Sequence, residues 1–486
     1  MEKSGNNYRN WVTCKSCKGN AKRKKTIRKK TRLNYQAAVK QYKKTNCGGE
    51  IPNPPKAQIY ICTECNGSGL VSAKNNPLPD KENYPHVAII GGGIGGTALA
   101  VACLHRGIPF TLYERDIDFE SRSQGYGLTL QQASKALSGF GILSLEEGIT
   151  STRHLVHNTD GKVIGEWGIR KWGRSDSKTS PKRKNVHIAR QSLRLVLLEQ
   201  LNGHKSIKWG HRLLDFKESE KGVTLNFQVN NEIKSTKVDL VVGADGIRST
   251  VRKLIIGEDI TPLRYLGCIV ILGICPLNNL ENIERSLLDS ATVFQTANGN
   301  ERIYMMPYDS KTIMWQLSFP LSEKKAKELS AKGVKALKEE ACKRTQWHNP
   351  IPQILEATPE NQISGYPVYD RNLLTTDLLK KGTKTTLIGD AAHPMSPFKG
   401  QGANQALLDA LSLAREIAKG CNPLSQWKEI GIQKSVLTAF ESEMLERSAS
   451  KVKDSAEAAH LLHSKIVLYE GDGPRGKHRN KKDISY

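Results

Sequence analysis

The chain has 486 residues, of which 38% are hydrophobic and 25% are charged, so it can form about three domains of ordinary size around large cores. Its formal net charge is +25, and residues 1–85 hold 18 Lys and Arg against 5 Asp and Glu. The polar, basic start lacks a signal-peptide pattern, and the apolar run 268–275 is far shorter than the ~20 residues of a membrane span. We therefore expect a cytoplasmic protein with no membrane span.

Four of the ten cysteines form two matched pairs near the N-terminus. Cys14 and Cys17 begin a C-x-x-C-x-G sequence, and Cys62 and Cys65 begin C-x-x-C-x-G-x-G. Glycine allows the tight turn that points both thiolates of a pair inward, and four sulfurs suit tetrahedral Zn²⁺. The pattern resembles one zinc half of the DnaJ-type cysteine-rich domain, although the first copy lacks the last glycine and 44 residues separate the pairs. We predict structural zinc, with a redox dithiol or idle thiols as alternatives.

A dense basic run, residues 18–44, lies between the two pairs and places Tyr35 and Tyr42 on one helical face. Such a run can bind RNA, an acidic protein surface or a nuclear import receptor, or it can simply be solvated. We predict a basic zinc-knuckle module over residues 1–75, followed by a Pro- and Asn-rich linker over 76–85.

A glycine-rich loop follows the first strongly apolar strand. The sequence runs from that strand through Gly91-x-Gly93-x-x-Gly96, opens a helix around Ile94, and continues into a second strand that ends in Glu114. The first glycine allows the tight turn, the second lets a pyrophosphate approach the backbone, and the third lets helix and strand pack closely. A carboxylate at this distance can hold ribose hydroxyls. The pattern predicts a dinucleotide site without separating FAD from NAD.

A second glycine-rich segment, residues 385–411, combines a strand, a loop and a helix. The strand ends at Asp390, which is placed to accept hydrogen bonds from hydroxyl groups. The helix opens with Gly400, Gly402, Ala403 and Asn404, whose N–H groups and partial positive charge suit an anion or an electron-rich ring edge. The alternative is an ordinary loop in which Gly and Pro only turn the chain.

A third motif, ADGIRSTVR, follows another apolar strand and makes the assignment more specific. Together with the GGGIGG loop and GDAAHPMSPFKGQGAN, it resembles the single-component FAD-dependent aromatic hydroxylases, the class A flavoprotein monooxygenases. The resemblance covers about residues 85–455. Around the Gly-Asp segment, the tetracycline-inactivating flavoproteins and the kynurenine-hydroxylase-like enzymes look similar.

The resemblance implies roles for individual residues. The glycines of the first loop match the pyrophosphate loop, and Glu114 matches the acid that binds the adenosine ribose. Arg115 matches a basic residue by the adenine, and Arg190 matches an arginine near the flavin, unless it is only a helix-start arginine. Asp245 belongs to a motif associated with pyrophosphate and pyridine-nucleotide contacts, or is mainly structural. Asp390 matches the acid that binds the ribityl chain.

The helix start at 400–404 matches the segment whose N–H groups stabilise the reduced flavin ring. Lys399 departs from the family pattern, either as a cation near the flavin or substrate mouth or as a solvated lysine. The sequence contains no second glycine-rich unit for a nicotinamide domain, so NAD(P)H is expected to bind only transiently. No side chain is assigned as a catalytic acid or base, because the flavin carries the oxygen chemistry.

The predicted fold is α/β: a Rossmann-like FAD-binding domain, an antiparallel-sheet substrate domain and the small N-terminal zinc module. A hairpin is predicted around 309–310. The predicted divisions after the linker are 86–257 for the first FAD-binding parts with substrate strands at about 151–185, 258–377 for the substrate domain, 378–420 for the last FAD-binding part, 421–465 for a helical segment and 466–486 for a disordered basic tail.

The resemblance implies that NAD(P)H reduces FAD, that O2 adds to the flavin as a hydroperoxide, and that one oxygen passes to an aromatic or polycyclic small molecule. The alternatives are a reductase or halogenase of the same superfamily, and a zinc-ribbon interaction protein on a non-catalytic flavin scaffold. The halogenase is disfavoured because the segment 166–173 does not match the expected paired-Trp motif.

Overall fold

The computed structural model describes residues 10–45, 50–121, 125–172, 185–201, 205–280, 283, 285–421 and 427–476. At its centre lies a five-stranded sheet whose pairings are all parallel. From one edge to the other, its strands are Ile207–Lys208, Phe110–Tyr113, Val87–Ile90, Leu240–Gly243 and Thr385–Leu387. The central strands are apolar at every position and fully buried, as expected where a parallel sheet is covered on both faces.

Two long helices beside this sheet pack against each other. We call Ile94–Leu104 the glycine-loop helix and Gly402–Gly420 the Gly402 helix. Every residue of the glycine-loop helix except Gly95 is buried, which is typical of a helix that is apolar all round. The other α-helices are Lys29–Lys44, Ile169–Trp172, Arg190–Gln200, Thr250–Ile256, Glu323–Ala331, Val334–Arg344, Ile351–Ala357, Thr376–Leu379, Trp427–Ile430 and Thr438–Leu461. Within the described ranges, none of these helices has the length and apolar character needed to cross a membrane.

The strands of the parallel sheet end at a common edge, and the three sequence motifs follow them there. Val87–Ile90 leads into Gly91, Leu240–Gly243 leads toward Asp245, and Thr385–Leu387 leads toward Asp390. Because parallel strands carry their carboxyl ends to one side, segments distant in the chain meet at this edge. In open α/β sheets this edge is where ligands bind.

The largest sheet in the described residues has seven strands. Its strands, in spatial order, are Val163–Trp167, Arg153–His157, Thr292–Ala297, Arg302–Pro307, Thr312–Pro320, Leu263–Pro276 and Ile363–Arg371. Only the pairing between the second and third of these strands is parallel. The hairpin predicted around 309–310 is confirmed, because Arg302 pairs with Ser318 and Pro307 pairs with Ile313.

Alternate residues of this hairpin face opposite sides of the sheet, as the pleat of a strand requires. One side is an apolar core that includes Ile303 and Trp315 and is completed by side chains from helices between 323 and 357. Those helices were not predicted, because this region was read mainly as strands. The other side, with Arg302, Tyr304 and Gln316, borders a cavity.

The described residues also form two three-stranded antiparallel sheets. One contains His211–Ser219, Gly222–Val229 and Glu232–Val238. The other contains Gly127–Leu130, Val186–Ala189 and Ile149–Thr150. The second sheet borders the cavity as well, through residues such as Thr129 and His187.

The N-terminal module consists of two strand pairs and an exposed helix. Asn10–Thr13 pairs with Leu70–Ala73, and Lys22–Lys24 pairs with Ile59–Ile61. The basic helix Lys29–Lys44 has no buried residue. The module packs on the rest of the chain through Trp11, which is so close to Gly141 that a Cβ there would lie 2.4 Å from the indole. The four cysteines are buried together between the strand pairs.

The prediction of a disordered tail over 466–486 is wrong for residues 466–476. Arg475 is only 5% exposed, and its guanidinium donates hydrogen bonds to backbone carbonyls that include those of Ile164, Val467 and Gly471. The Gly-rich, charged composition suggested disorder because it offers little apolar surface. A single arginine with five N–H donors can instead organise such a loop by binding several carbonyls. Residues 477–486 lie outside the described residues.

Candidate functional site

The glycine loop has a geometry that only glycine tolerates. Gly91 has φ +106°, and a Cβ there would lie 2.6 Å from the carbonyl oxygen of Ala244. A Cβ on Gly96 would lie 1.9 Å from the carbonyl oxygen of Gly91. A Cβ on Gly93, by contrast, would meet only Arg190 within 4 Å, at 3.9 Å. The loop is closed on its inner side and open outward, so the N–H groups that begin the helix can face an anion.

Glu114 lies directly beside this loop. Its side chain is 3% exposed, and its carboxylate accepts hydrogen bonds from the N–H groups of Gly92 at 2.6 Å and Asp116 at 3.1 Å. The strand end and the loop therefore fix the carboxylate between them. This placement fits the predicted role, because a ribose attached to a pyrophosphate in the loop would approach the same edge.

Two arginines of one helix, Arg190 and Arg194, lie beside the loop, and the second was not predicted from the sequence. Arg194 is 1% exposed; its Nε donates to the carbonyl oxygen of Gly92 at 2.7 Å, and its guanidinium lies 5.0 Å from the ring centroid of Phe119. Arg190 starts the same helix, one turn earlier. Arg115 is 69% exposed at the side chain and has Asp116 at 3.9 Å. The pattern R-x-x-x-R across a helix start was the available signal for Arg194.

Asp245 accepts hydrogen bonds from the start of a nearby helix. Its Oδ2 accepts the N–H groups of Thr250 at 2.7 Å and Val251 at 3.2 Å, so it satisfies the start of the helix Thr250–Ile256. Burial raises the pKa of Asp245, and the bonds from Ser249 and Val251 oppose that rise. Of the two roles left open from the sequence, the structural one has direct contacts here.

Arg252, from the same motif, ties two of the three motifs together. It is 2% exposed and donates to the carbonyl oxygens of Ala391 at 2.9 Å and Ala392 at 3.0 Å, and to the hydroxyl of Thr261 at 2.8 Å. Burial and the charge of Arg371 lower the pKa of Arg252 to about 10, which leaves it protonated at neutral pH. The loop that carries Asp390 is thus held by a buried cation.

A buried ion cluster holds the same loop from behind. Asp409, on the Gly402 helix, accepts hydrogen bonds from the Gly389 N–H at 2.8 Å, from His393 Nε2 at 2.7 Å and from Arg447 at 2.9 Å. Burial alone would lower the pKa of His393, but Asp409 raises it; burial alone would raise the pKa of Asp409, but His393 and Arg447 lower it. The imidazole and guanidinium therefore balance a fully buried carboxylate.

Asp390 itself faces the cavity. Its carboxylate is open to the cavity and enclosed by protein elsewhere; this burial raises its pKa, while His393 and Arg190 oppose the rise. Its Oδ1 is 3.4 Å from where a Cβ of Gly402 would lie, so the carboxylate and the helix start are neighbours. The arrangement suits hydroxyl groups that donate to Asp390 beside a group that faces the helix start.

The start of the Gly402 helix is held rigidly. Asn404 is fully buried, and its side chain accepts the N–H groups of Gln131 at 2.9 Å and Ala133 at 3.2 Å and donates to the carbonyl oxygens of Thr129 and Gly400, each at 2.8 Å. The Asn404 side chain is therefore engaged within the protein. The N–H groups of the first helical turn, from Gly402 onward, have no acceptor inside the helix and remain for a ligand.

A cavity of about 710 Å³ connects this helix start with the seven-stranded sheet. Its lining includes Asp390, Gly402 and Ala403. The seven-stranded sheet contributes aromatic and sulfur-containing residues to the lining, and we call this part of the lining the chamber; it includes Trp167, Phe294, Tyr304, Met306, Met314 and Tyr366. The volume falls within the range of small-molecule sites, which is about 300–1,000 Å³. Lys399 is on this wall, where its Nζ donates to the carbonyl oxygen of Gly476 at 2.6 Å.

One buried cation, Arg302, lines the cavity beside Tyr304. It is 6% exposed, its Nε donates to Gln295 Oε1 at 2.7 Å, and its guanidinium carbon lies 5.0 Å from the centroid of the Tyr304 ring. Burial lowers the pKa of Arg302 to about 10. No ion pair among the described residues involves it. A ligand oxygen in the cavity would give this cation an acceptor.

The four predicted cysteine ligands come together in the structure. The Sγ atoms of Cys14, Cys17, Cys62 and Cys65 all lie within 4.8 Å of one another, with 4.0 Å between Cys14 and Cys62 and 3.6 Å between Cys17 and Cys65. Four sulfurs arranged tetrahedrally at about 2.3 Å from Zn²⁺ are about 3.8 Å apart. The cluster therefore has the size of a tetrathiolate zinc site.

The chain matches a protein family over most of its length. Residues 84–423 match the family described as FAD binding domain, so the four-cysteine module precedes the matched region. An aurachin C monooxygenase/isomerase from Stigmatella aurantiaca is 29% identical over 334 residues, covering 68% of this chain and 79% of that protein. A probable FAD-dependent monooxygenase from Arthroderma benhamiae is 26% identical over 416 residues, covering 78% of this chain and 92% of the relative.

Solved structures show the same fold. Klebsiella pneumoniae HpxO, in complex with FAD and uric acid, has a TM-score of 0.62 at 20% identity, covering 78% of this chain and 89% of that chain. The 2,6-dihydroxypyridine-3-hydroxylase from Arthrobacter nicotinovorans has a TM-score of 0.65 at 16% identity, covering 82% and 99%. Tetracycline destructase Tet(51) has a TM-score of 0.55 at 18% identity, covering 79% and 94%. With the family match over 84–423 and relatives that are monooxygenases, this chain belongs to the FAD binding domain family and is an oxidoreductase of the FAD-dependent monooxygenase class.

Proposed function

We propose that this enzyme binds FAD noncovalently and uses NAD(P)H and O2 to hydroxylate an aromatic or polycyclic small molecule. The observation that carries the proposal is the cavity of about 710 Å³, which joins Asp390 and the start of the Gly402 helix to an aromatic chamber on the seven-stranded sheet. A cofactor ring at one end and a flat substrate at the other would lie in one enclosed space.

The residues of this chain bind and orient the cofactor at several points. The loop from Gly91 to Gly96 offers N–H groups to the pyrophosphate, Glu114 and Asp390 accept from its ribose and ribityl hydroxyls, and the Gly402 helix directs its positive end at the ring. When bound, FAD supplies the redox chemistry, taking hydride from NAD(P)H and activating O2. The partial charge at the helix end favours a ring that becomes anionic on reduction.

The chamber walls orient the substrate and exclude water. Rings such as Trp167, Tyr304 and Tyr366 offer flat apolar surface to an aromatic molecule. Arg302 and its partner Gln295 are placed to hold an oxygen of that molecule. The hairpin of residues 302–320 covers this end, which would keep the reacting groups from water.

The decisive experiment is product analysis under labelled O2. The purified, FAD-loaded protein would be mixed with NADH or NADPH and a library of aromatic compounds, and product mass and O2 uptake would be recorded. We expect slow NAD(P)H oxidation with peroxide release when no substrate is present, and faster oxidation with one labelled oxygen atom in the product when the right compound is added. Anaerobic reduction of a substrate double bond without oxygen incorporation would favour the reductase, and halide-dependent product would favour the halogenase.

We also propose that Cys14, Cys17, Cys62 and Cys65 hold one structural Zn²⁺. Four buried sulfurs leave no open coordination position, so the metal would stabilise the module and take no part in the reaction. Metal analysis of freshly purified protein should find one zinc per chain, and the Cys62→Ser/Cys65→Ser variant should lose it. Zinc retained by that variant would contradict the assignment.

A further inference from the structure

Two arginines from the FAD-binding region lie against the four-cysteine cluster, and neither has an acidic partner among the described residues. Arg106 is 5% exposed; its Nη1 donates to the carbonyl oxygen of Ala102 at 2.9 Å, and its Nε and Nη2 have no hydrogen-bond partner in the described part of the chain. Burial and the charge of Arg415 lower the pKa of Arg106 to about 9. A buried guanidinium with two unpartnered nitrogens beside a second arginine indicates that an anion is missing.

Both guanidinium groups are directed at the cysteine-bearing turns. Arg415 donates from Nε to the carbonyl oxygen of Gly19 at 3.1 Å and from Nη2 to that of Ser68 at 3.4 Å. Arg106 Nε is 3.9 Å from where a Cβ of Gly19 would lie. Gly19 follows Cys17 and Ser68 follows Cys65, so each turn receives a cation just past its second cysteine. Neither arginine makes an ion pair with any described residue.

The charges balance if the cysteines hold Zn²⁺. Four thiolates around one divalent ion carry a net charge of about −2, because each ligating thiol is deprotonated. Arg106 and Arg415 together carry +2. With four neutral thiols the two cations would stay uncompensated, which is costly for buried charge.

Arg106 and Arg415 lie near the C-terminal ends of the two helices whose N-termini face the proposed cofactor site. Arg106 lies two residues beyond the end of the glycine-loop helix, and Arg415 is in the C-terminal half of the Gly402 helix. These two helices pack against each other, and their opposite ends begin at the proposed pyrophosphate and flavin-ring positions. A link between the C-terminal parts of the two helices would fix the distance between their N-termini.

We propose that the metal-loaded four-cysteine site is an anionic anchor that binds Arg106 and Arg415 and so fastens the two FAD-holding helices together. This inference rests on the zinc site and the FAD site proposed above. It predicts that zinc binding and FAD retention are coupled, although the metal and the flavin contact different residues.

The test compares the full-length protein with Arg106→Met/Arg415→Met, which keeps all four thiols. We expect this variant to bind Zn²⁺ about tenfold more weakly, the size of effect usual for residues that support metal ligands. Stripping zinc from the unaltered protein with a chelator should speed FAD release by about tenfold, read from flavin fluorescence, and should change release from the double variant far less. Arg106→Lys/Arg415→Lys, which keeps both charges, should recover most of the zinc affinity.

Lys419→Met is the matched control, because Lys419 lies one turn beyond Arg415 on the same helix but is exposed and paired with Glu416. It should behave as the unaltered protein does. Equal zinc affinity in the unaltered and double-Met proteins, or unchanged FAD release after zinc removal, would overturn the anchor alone. If the double-Met variant fails to fold, the chelation of the unaltered protein still decides. If freshly purified protein contains no zinc, the zinc site and the anchor are both overturned. If zinc-loaded protein does not bind FAD, the proposed flavin site is overturned.

Discussion

Buried charge is compensated in two opposite ways in this molecule. Around Asp409, a carboxylate is matched by His393 and Arg447, so the cluster is complete within the protein. Within the described residues, the buried guanidinium groups of Arg106 and Arg302 have only a carbonyl and a neutral amide, respectively, as hydrogen-bond partners. Because unpaired buried charge is costly, we interpret the Asp409 cluster as scaffold. Arg106 and Arg302 are the positions that the proposed metal-loaded cysteine site and a substrate oxygen, respectively, would complete.

The largest expected effect comes from breaking the complete cluster. Asp409→Asn would leave His393 and Arg447 buried without their carboxylate, and removing one partner of a buried pair costs about 3–5 kcal/mol. Urea unfolding should show this loss in the free energy of unfolding. Glu443→Gln is the control, because Glu443 pairs with the same Arg447 but its side chain is 49% exposed, and exposed pairs contribute about 0–1 kcal/mol. Equal losses in both variants would contradict the distinction.

The next effect concerns cofactor binding without loss of fold. Asp390→Ala should weaken FAD binding by about 1.5–3 kcal/mol, because charge-assisted hydrogen bonds from the ribityl hydroxyls would be lost. Titration of the apoprotein with FAD, followed by flavin fluorescence, measures the change. Asp454→Ala removes another carboxylate from the cavity lining and should leave FAD affinity unchanged. FAD affinity unaffected by Asp390→Ala would remove Asp390 from the site.

A somewhat smaller effect is expected at the uncompensated cation of the chamber. Arg302→Met should raise the KM of the substrate by roughly tenfold, equivalent to about 1.5 kcal/mol, the low end for a charged hydrogen bond because Gln295 already shares the guanidinium. FAD affinity should not change. Lys399→Met, at the same cavity wall, should alter KM less, since Lys399 is held by a backbone carbonyl. An unchanged KM in Arg302→Met would mean that the substrate does not use this cation.

The smallest effect is a change in pH dependence. Asp409 raises the pKa of His393 in the folded protein, so the stabilisation from protonated His393 is fully present below the unfolded pKa of about 6.5 and is lost as pH rises through the folded pKa. In the unaltered protein, the free energy of unfolding should therefore decline above about pH 6.5 by about 1.4 kcal/mol for each unit by which the folded pKa is raised. His393→Gln should remove this decline. Parallel pH profiles for the two proteins would show that His393 is not protonated in the fold.

The strand-end motifs could be recognised from the sequence because they are local, whereas their predicted contacts with the cofactor stay predictions. Gly91, Gly96 and Asp390 each follow a short apolar strand, and a strand, a turn and a helix start can be recognised within about ten residues. The chamber was harder, since Arg302 and Tyr304 face the cavity while Ile303 faces the core. A pattern with period two gives two faces but does not say which one a ligand will meet.

Two kinds of residue were missed for physical reasons. Asp409 stands among Ala406, Leu407 and Ala410 on a helix that reads as core, and a lone carboxylate there indicates burial without naming its partners. Arg106 was given no role from the sequence, because a basic residue near a helix end is common. Its meaning depends on Gly19 and Arg415, which are distant in the chain and meet it only in the folded protein.

The order of strands in the parallel sheet also bears on how a cell makes this enzyme. Leu240–Gly243 is flanked by Val87–Ile90, synthesised early, and by Thr385–Leu387, synthesised about three hundred residues later. Until that last strand and the Gly402 helix leave the ribosome, the sheet has an open apolar edge and only part of its flavin contacts. At about 5–20 residues per second, this interval lasts tens of seconds. The four-cysteine module is complete by residue 75, so the proposed Zn²⁺ would be able to bind on the ribosome. Flavin capture has to wait until translation is nearly finished. Chaperone protection during that interval, and riboflavin supply at its end, should therefore govern the yield of active enzyme in a production host.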